Sequence, residues 1–332
     1  MDHDRGEVER FLTTLEPASL VALEACGSWM WMSDVIEKAG HVPLLADPGK
    51  ARKLRPGSNK TDERDAENLC MLTLNESLPR VYIPSSAIRD LRGLVRTRLG
   101  IRKQQSGFKH RIHGYLNQYA AKDWVEQEED VDVHDWFSMK ARAHLLKAID
   151  RLPGATREAM RQQFFAVLEL EQHVKTLEIA IEARVAQLGW LRLLRTLPGV
   201  GLVLGATIWL EIADVKRFPS APNLAGYCGL VPTNYGTGGK NWRGPTPKSC
   251  NHYLKWAFVE AANVIVAHKK TMLDKHPHVV LLYERVKATT KIPGKAKVAV
   301  GRHLAESAWW ILTKKEAYRE PTSAQVTSSK NG

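Results

Sequence analysis

Between residues 155 and 189, apolar side chains return at Val167, Leu170, Val174, Leu177, Ile181 and Leu188, a three-four alternation carried over three heptads. A long helix satisfies that period, and a helix of that length must lay its apolar stripe against a partner. Residues 88–116 supply one. Leu91, Leu94, Val95 and Leu99, then Phe108, Ile112 and Leu116, recur there at helical spacing. The two segments are expected to form an antiparallel coiled coil. The acidic string EQEEDVDVHD (126–135) between them reads as a solvated connector. A helical middle over 86–190 thereby divides the chain into a head, a middle and a C-terminal part.

The head, 1–85, alternates in type. EVERFLTTL has helical spacing, SLVALEA (19–25) reads as a buried strand, and SWMWMSDVIEKAG (28–40) reads as a helix from a Ser cap to Gly40. HVPLLA (41–46) is a second strand, closed by the turn residues Asp47, Pro48 and Gly49. TDERDAENLCMLTL (61–74) is a helix capped by Thr61. Strands alternating with helices imply a sheet covered by helices. The C-terminal part, 191–318, reads as mainly helical, with a Gly-rich loop at 236–244 and helices over 252–270 and 295–315. The polar stretch 319–332 reads as a disordered tail.

Charge narrows the function. The chain has 48 Lys and Arg against 36 Asp and Glu, a net charge of +12. Residues 1–85 hold 10 basic and 14 acidic residues, so the body carries the whole excess. A basic body suggests a polyanionic partner. No apolar run approaches the ~20 residues of a membrane span, the N-terminus is polar, and the four cysteines form no C-x-x-C pair. A cytoplasmic protein with reduced thiols is expected.

Three carboxylates could hold a metal. Glu24 interrupts an apolar strand, where an unpaired carboxylate is costly to bury. Asp62 and Asp65 stand at i, i+3 on one helix face, with Cβ atoms ~5–6 Å apart. Facing one another, the three would suit Mg²⁺ and phosphodiester chemistry. Equally, the two Asp residues, with Glu63 and Glu67, could simply complement the helix dipole.

Two basic fields could grip nucleic acid. Over 88–111, Arg89, Arg92, Arg96, Arg98, Arg102, Lys103, Lys109 and Arg111 face only Asp90 in sequence, and Arg89, Arg92 and Arg96 form one helical stripe. Such a stripe is expected to track phosphates. From 240 to 302 there are 13 basic residues against Glu260, Asp274 and Glu284. LPGVG (197–201) could be a helix-hairpin-helix turn in which Gly199 and Gly201 let backbone amides approach a phosphate, or a plain helical turn. YGTGGKNWRG (235–244) fails as a P-loop because Asn stands at 234 and 241. It offers the Thr237 hydroxyl beside Lys240 and Arg243, with Lys248 close behind: a phosphate-directed loop or a surface turn. His276 and His278 read as surface or phosphate-contacting residues, and Trp309-Trp310 as core.

ALEACGSW, KTDERDA (60–66), LPGVG, RFPSAPNLAGYCGLVP (217–232), the Gly loop and HYLKWAFVEAANVIV (252–266), in that order, resemble the DEDD-type insertion-sequence transposases of insertion-sequence family one-ten. The resemblance covers nearly the whole chain. It implies an α/β RuvC-like, RNase H-type head, a helical coiled-coil middle and a mainly α C-terminal transposase domain. It further implies DNA cleavage and joining, Mg²⁺ on Glu24, Asp62 and Asp65, and Thr237 in the place of the family's nucleophilic serine. DNA, a structured guide RNA and a homo-oligomeric assembly are the implied partners, with no membrane. The family's first metal-binding Asp lies on a strand ahead of the helix with which this sequence opens. The head is accordingly expected to be N-terminally truncated, Asp2 and Asp4 being in the wrong element. A non-catalytic nucleic-acid-binding remnant and a helix-hairpin-helix repair nuclease are the alternative readings.

Overall fold

The computed structural model describes residues 4–54, 61–121, 123–126, 135–237 and 240–321, with the backbone alone at 234, 235, 237 and 240–243. They fall into two compact units, Met1–Ser85 and Ser86–Gly332.

The first unit is built on a three-stranded sheet. Helix α1 (Arg5–Leu12) leads into β1 (Leu20–Glu24), then α2 (Trp29–Lys38), β2 (Val42–Ala46), α3 (Pro48–Leu54), α4 (Asp62–Leu74) and the two-residue β3 (Arg80–Val81). The strand order is β1-β2-β3. β1 and β2 run parallel with Leu20 opposite Val42 and Glu24 opposite Ala46, while β3 is antiparallel to β2. Strand alternation sorts the side chains onto two faces. Leu23 and Leu45 join Leu12, Val35 and Ile36 of α1 and α2. Ala22, Leu44 and Ala46 join Ala51 of α3 and Leu69 and Leu72 of α4. Helices therefore cover both faces. Two expectations change. β1 is only partly buried, with Leu20 54% exposed, because among the described residues it has a neighbouring strand on one side only. Asp47-Pro48-Gly49 opens a helix instead of a turn: the Asp47 carboxylate accepts the Lys50 amide at 3.1 Å, and proline is at home in a first helical turn.

The second unit begins with α5 (Ser86–Gln118), followed by α6 (Asp123–Glu126), α7 (Arg142–Asp150) and α8 (Gly154–Val185). The acidic connector at 127–134 lies outside the described residues. α5 and α8 pair antiparallel: Arg98 meets Glu178, Gln105 meets the Val167 carbonyl, and Arg111 meets Gln163. The inward stripe of α8 runs Met160, Phe164, Val167, Glu171, Val174, Glu178, Ile181 and Val185, so two of its positions hold carboxylates. Arg142 of α7 takes Glu171 and Arg98 takes Glu178. The buried Gln105 amide donates to Val167 O at 3.0 Å and accepts from Arg102 at 2.5 Å. A satisfied polar group in an otherwise apolar seam fixes helix register.

The unit continues with α9 (Gly189–Leu194), α10 (Leu202–Ile212), α11 (Ala221–Tyr227), the strands β4 (Asn234–Thr237) and β5 (Lys240–Arg243), then α12 (His252–Ala267), α13 (Lys269–Lys275), α14 (Pro277–Thr290) and α15 (Pro293–Lys314). Its core gathers Ile208 and Ile212 of α10, Phe258 and Ala261 of α12, and Val300, Leu304 and Ala308 of α15. Trp309 joins that core and donates to the Phe218 carbonyl at 2.9 Å, whereas Trp310 is 49% exposed, so the tandem pair is not core throughout. His276 is half-buried against Glu320, 3.3 Å away, so it is not a surface histidine. Glu320 also accepts the His278 amide at 3.0 Å, and the Tyr318 amide donates to Thr196 Oγ1 at 2.8 Å. The stretch to Pro321 is thus docked, and 322–332 lie outside the described residues.

The LPGVG turn joins α9 to α10. Gly199 adopts φ +74°, and a Cβ there would be driven into the Ala261 carbonyl of α12. Gly201, at the start of α10, has open space around its Cα. Gly199→Ala should therefore lower unfolding free energy by about 2 kcal/mol or more, whereas Gly201→Ala should cost roughly 1 kcal/mol or less. Denaturant unfolding of the two variants measures the contrast.

Candidate functional site

In the first unit, the acids fall on one face of the sheet. Glu24 shares the parity of Ala22 along β1, and Ala22 packs toward α4. On α4, Asp62 and Asp65 continue the stripe of Leu69 and Leu72 by one turn, and α4 packs on β1. Thr61 caps that turn, its hydroxyl accepting the Arg64 amide at 3.3 Å. Asp62 is exposed, while Glu24 and Asp65 are half-buried. Three carboxylates are the hard oxygen donors that Mg²⁺ requires. Yet among the described residues no three His, Cys, Asp or Glu side chains are grouped closely enough to hold a metal ion. The donor chemistry fits; a closed three-ligand set is not formed.

In the second unit, the arginine stripe of α5 turns inward. Arg92 Nε donates to Leu210 O at 2.6 Å and its terminal nitrogen to Glu211 O at 3.1 Å, at the carbonyl end of α10. Arg96 makes a two-point contact with the Glu211 carboxylate at 2.7 and 2.9 Å. Cations at a helix C-terminus and forked Arg-carboxylate pairs are both favourable arrangements. Glu211 is 2% exposed, and Asn251 Nδ2 donates to it at 2.9 Å. Burial alone would push its carboxyl up; the bonds from Arg96 and Asn251 and the charges of Arg96 and Arg92 outweigh that and hold it below the usual range. Arg92 and Arg96 are thereby engaged inside the fold, and Arg98 is engaged by Glu178. Arg89 is half-buried, and Arg102 is exposed.

Asn251 connects this network to the Gly-rich segment, which is a hairpin in place of the expected open loop. Thr237 pairs with Lys240 and Asn234 with Arg243 in backbone register. The side chains of Thr237, Lys240 and Arg243 lie outside the described set. The hairpin base is closed by Gly244 N to Thr233 O at 2.7 Å and by Thr233 Oγ1 to Pro245 O at 2.9 Å. Lys248 is exposed on the way to Asn251. Asn251 caps α12 by accepting the Leu254 amide at 3.0 Å while its own amine holds Glu211. Gly199 acts through close packing, and Gly201 is exposed at the N-terminus of α10.

Sequence reasoning misses Glu211 and Asn251. The signal is present: Glu211 is a lone acid in the apolar run LVLGATIWLEI, the same anomaly that singles out Glu24.

Two family models match the chain. A DEDD transposase model of the IS110 type, described as "Transposase", matches residues 2–121. A second, described as "Transposase IS116/IS110/IS902 family", matches residues 191–277. Similar proteins include a probable family 20 transposase of Pseudomonas aeruginosa, 23% identical over 95% of this chain and 90% of the relative. The transposase for insertion sequence element IS1111A of Coxiella burnetii is 22% identical over 90% of this chain and 79% of its own length. That for IS1328 of Yersinia enterocolitica is 24% identical over 78% and 74%. The chain belongs to the IS110/IS116 family of insertion-sequence transposases, proteins of DNA transposition, with the DEDD region ahead of the C-terminal transposase region. Among the described residues no helix is long and apolar enough to cross a membrane.

Glu211→Gln should remove the charge that compensates two partly buried guanidinium groups and lower stability by about 3–5 kcal/mol. The pH dependence has a defined sign. A carboxyl held below its ordinary value stabilises the fold above the unfolded-state value of about 4.3 and loses that contribution as pH falls through the lower folded-state value. Unfolding free energy measured below pH ~4.3 should therefore fall more steeply in the wild type than in Glu211→Gln.

Proposed function

We propose that this chain cuts and joins DNA strands by Mg²⁺-dependent phosphoryl transfer. The reading rests on one observation above the others: in a DEDD-family head, Asp62 and Asp65 prolong the inward stripe of α4 on the sheet face that bears Glu24. Glu24, Asp62 and Asp65 would hold the metal, which supplies charge stabilisation for the transferring phosphoryl group. Mg²⁺ commonly takes one or two carboxylates and completes its shell with water and substrate phosphate. An open set of acids before DNA binds is consistent with that habit. Thr237 would be the attacking hydroxyl, on a hairpin flanked by Lys240, Arg243 and Lys248.

The phosphate-gripping surface is best assigned to Arg102, Lys103 and Lys248, which are exposed, and to the cations of the hairpin. Arg92 and Arg96 serve the fold that presents them. Gly201, exposed at the start of α10, could offer backbone amides to a phosphate. Insertion-end and target DNA, a structured guide RNA and a second copy of the chain are the partners this reading requires. The open acid set equally favours a second reading, a nucleic-acid-binding protein without cleavage.

Strand cleavage on insertion-end DNA with Mg²⁺ separates the two. Asp62→Asn and Asp65→Asn should abolish cleavage with DNA affinity nearly intact; full cleavage by Asp65→Asn would overturn the assignment. Thr237→Ala should lose strand joining and Thr237→Ser should keep it. In binding titrations against salt, Lys103→Ala should reduce the slope of log affinity by about 0.9, the loss of one phosphate contact on duplex DNA. Arg96→Ala should act on stability instead.

A further inference from the structure

A cleft of about 560 Å³ opens between α5 and the first turns of α12. Its α5 wall presents Arg102, Lys103 and Ser106, spaced for one helix face, with Gly100 leaving the wall free of side chain. Its α12 wall presents His252, Tyr253 and Trp256. Among the described residues no carboxylate lines it. Lys103 is exposed and has no acidic partner among the described residues. The Tyr253 ring carries the Arg96 guanidinium 4.5 Å from its centroid, and Glu211 fixes that guanidinium in turn. One aromatic is thus covered and immobilised. Trp256 is 36% exposed, a large indole left beside cations.

Cations along one wall and an open aromatic on the other match the two halves of a nucleotide, phosphate and base. The volume lies within the range of small-ligand clefts. A base inside a duplex has both faces covered by its neighbours, so the partner that fits a concave, aromatic-walled cleft is an unstacked nucleotide. An acidic peptide would satisfy the cations but leave the indole without a flat partner. The inference deepens the proposed nucleic-acid function and rests on it. We propose that this cleft receives a nucleotide of a single-stranded segment, its base against Trp256 and its phosphate on Lys103 and Arg102. α12 follows directly on the segment that leads out of the Thr237 hairpin. A strand held in the cleft would therefore bind at the exit of the element proposed to carry the attacking hydroxyl.

The test is equilibrium binding by the full chain to a labelled single strand of about 20 nucleotides. It is compared with the same strand carrying abasic residues in place of nucleotides, in DNA and RNA versions. Trp256→Ala should weaken binding of the base-bearing strand about tenfold and leave the abasic strand unchanged, because stacking requires a base. Retained abasic binding also shows that the variant is folded. Trp256→Phe should keep most of the affinity, and Lys103→Ala should weaken both strands. Whichever of DNA and RNA shows the base-dependent loss identifies the source of the nucleotide. Equal loss on both strands, or no loss on either, would overturn the cleft. If the wild type also cleaves insertion-end DNA in that case, the proposed function stands and the cleft alone falls. A wild type that binds no single strand at all overturns the cleft and counts against the guide-RNA part of the proposed function, while insertion-end cleavage still judges the rest.

Discussion

A single buried carboxylate ties the C-terminal unit together. Glu211 accepts two bonds from Arg96 and one from Asn251, and lies within 3.9 Å of Arg92. Through these contacts the long helix α5, the core helix α10 and the start of α12 share one point of charge compensation. A buried carboxylate without such partners would be expelled or protonated. With them, it dictates which turn of α5 lies beside α10 and where α12 begins. The hairpin that carries Thr237 leads into α12 through Asn251, which Glu211 holds, so the placement of a proposed reactive segment depends on a contact inside the fold.

Much of the fold is legible in the sequence because the elements carry their own punctuation. Thr61 caps α4 as its position suggests, and Val167, Val174 and Ile181 face inward as their spacing requires. The misreadings share a cause. Glu171 and Glu178 occupy stripe positions of α8 where a rule based on apolarity finds a gap, and Leu170 and Leu177 then look like the seam. Pro48 reads as a turn residue, yet after Asp47 it is a helix opener, and only the tertiary setting chooses between the two. The Gly-rich segment pairs as a hairpin because residues on both sides of Gly238-Gly239 have strand partners in each other, a relation that composition does not display.

The site was harder to read than the fold. Glu24, Asp62 and Asp65 are placed on a common face by strand parity and helical spacing, which are properties of the sequence. Their separation depends on how α4 crosses the sheet, which is not. The arginines of α5 show the limit of counting charge along one helix. Seven net positive charges over 88–111 look self-repelling, but Glu211 and Glu178 reach them from more than seventy residues away. Local charge excess is evidence of a polyanionic partner only after the carboxylates of neighbouring helices have been assigned.

The docked C-terminal segment bears on the gene as well as on the protein. Tyr318 and Glu320 complete hydrogen bonds for Thr196, immediately ahead of the LPGVG turn, and for the first turn of α14. A stop or frameshift after Lys314 would spare every helix of the core, but it would strip partners from His276 and from the His278 amide. The reading frame must therefore stay intact through Glu320 for this unit to keep those bonds. An insertion between Lys314 and Glu320 would part the same contacts while leaving α15 whole, which makes this short stretch a poor landing place for one.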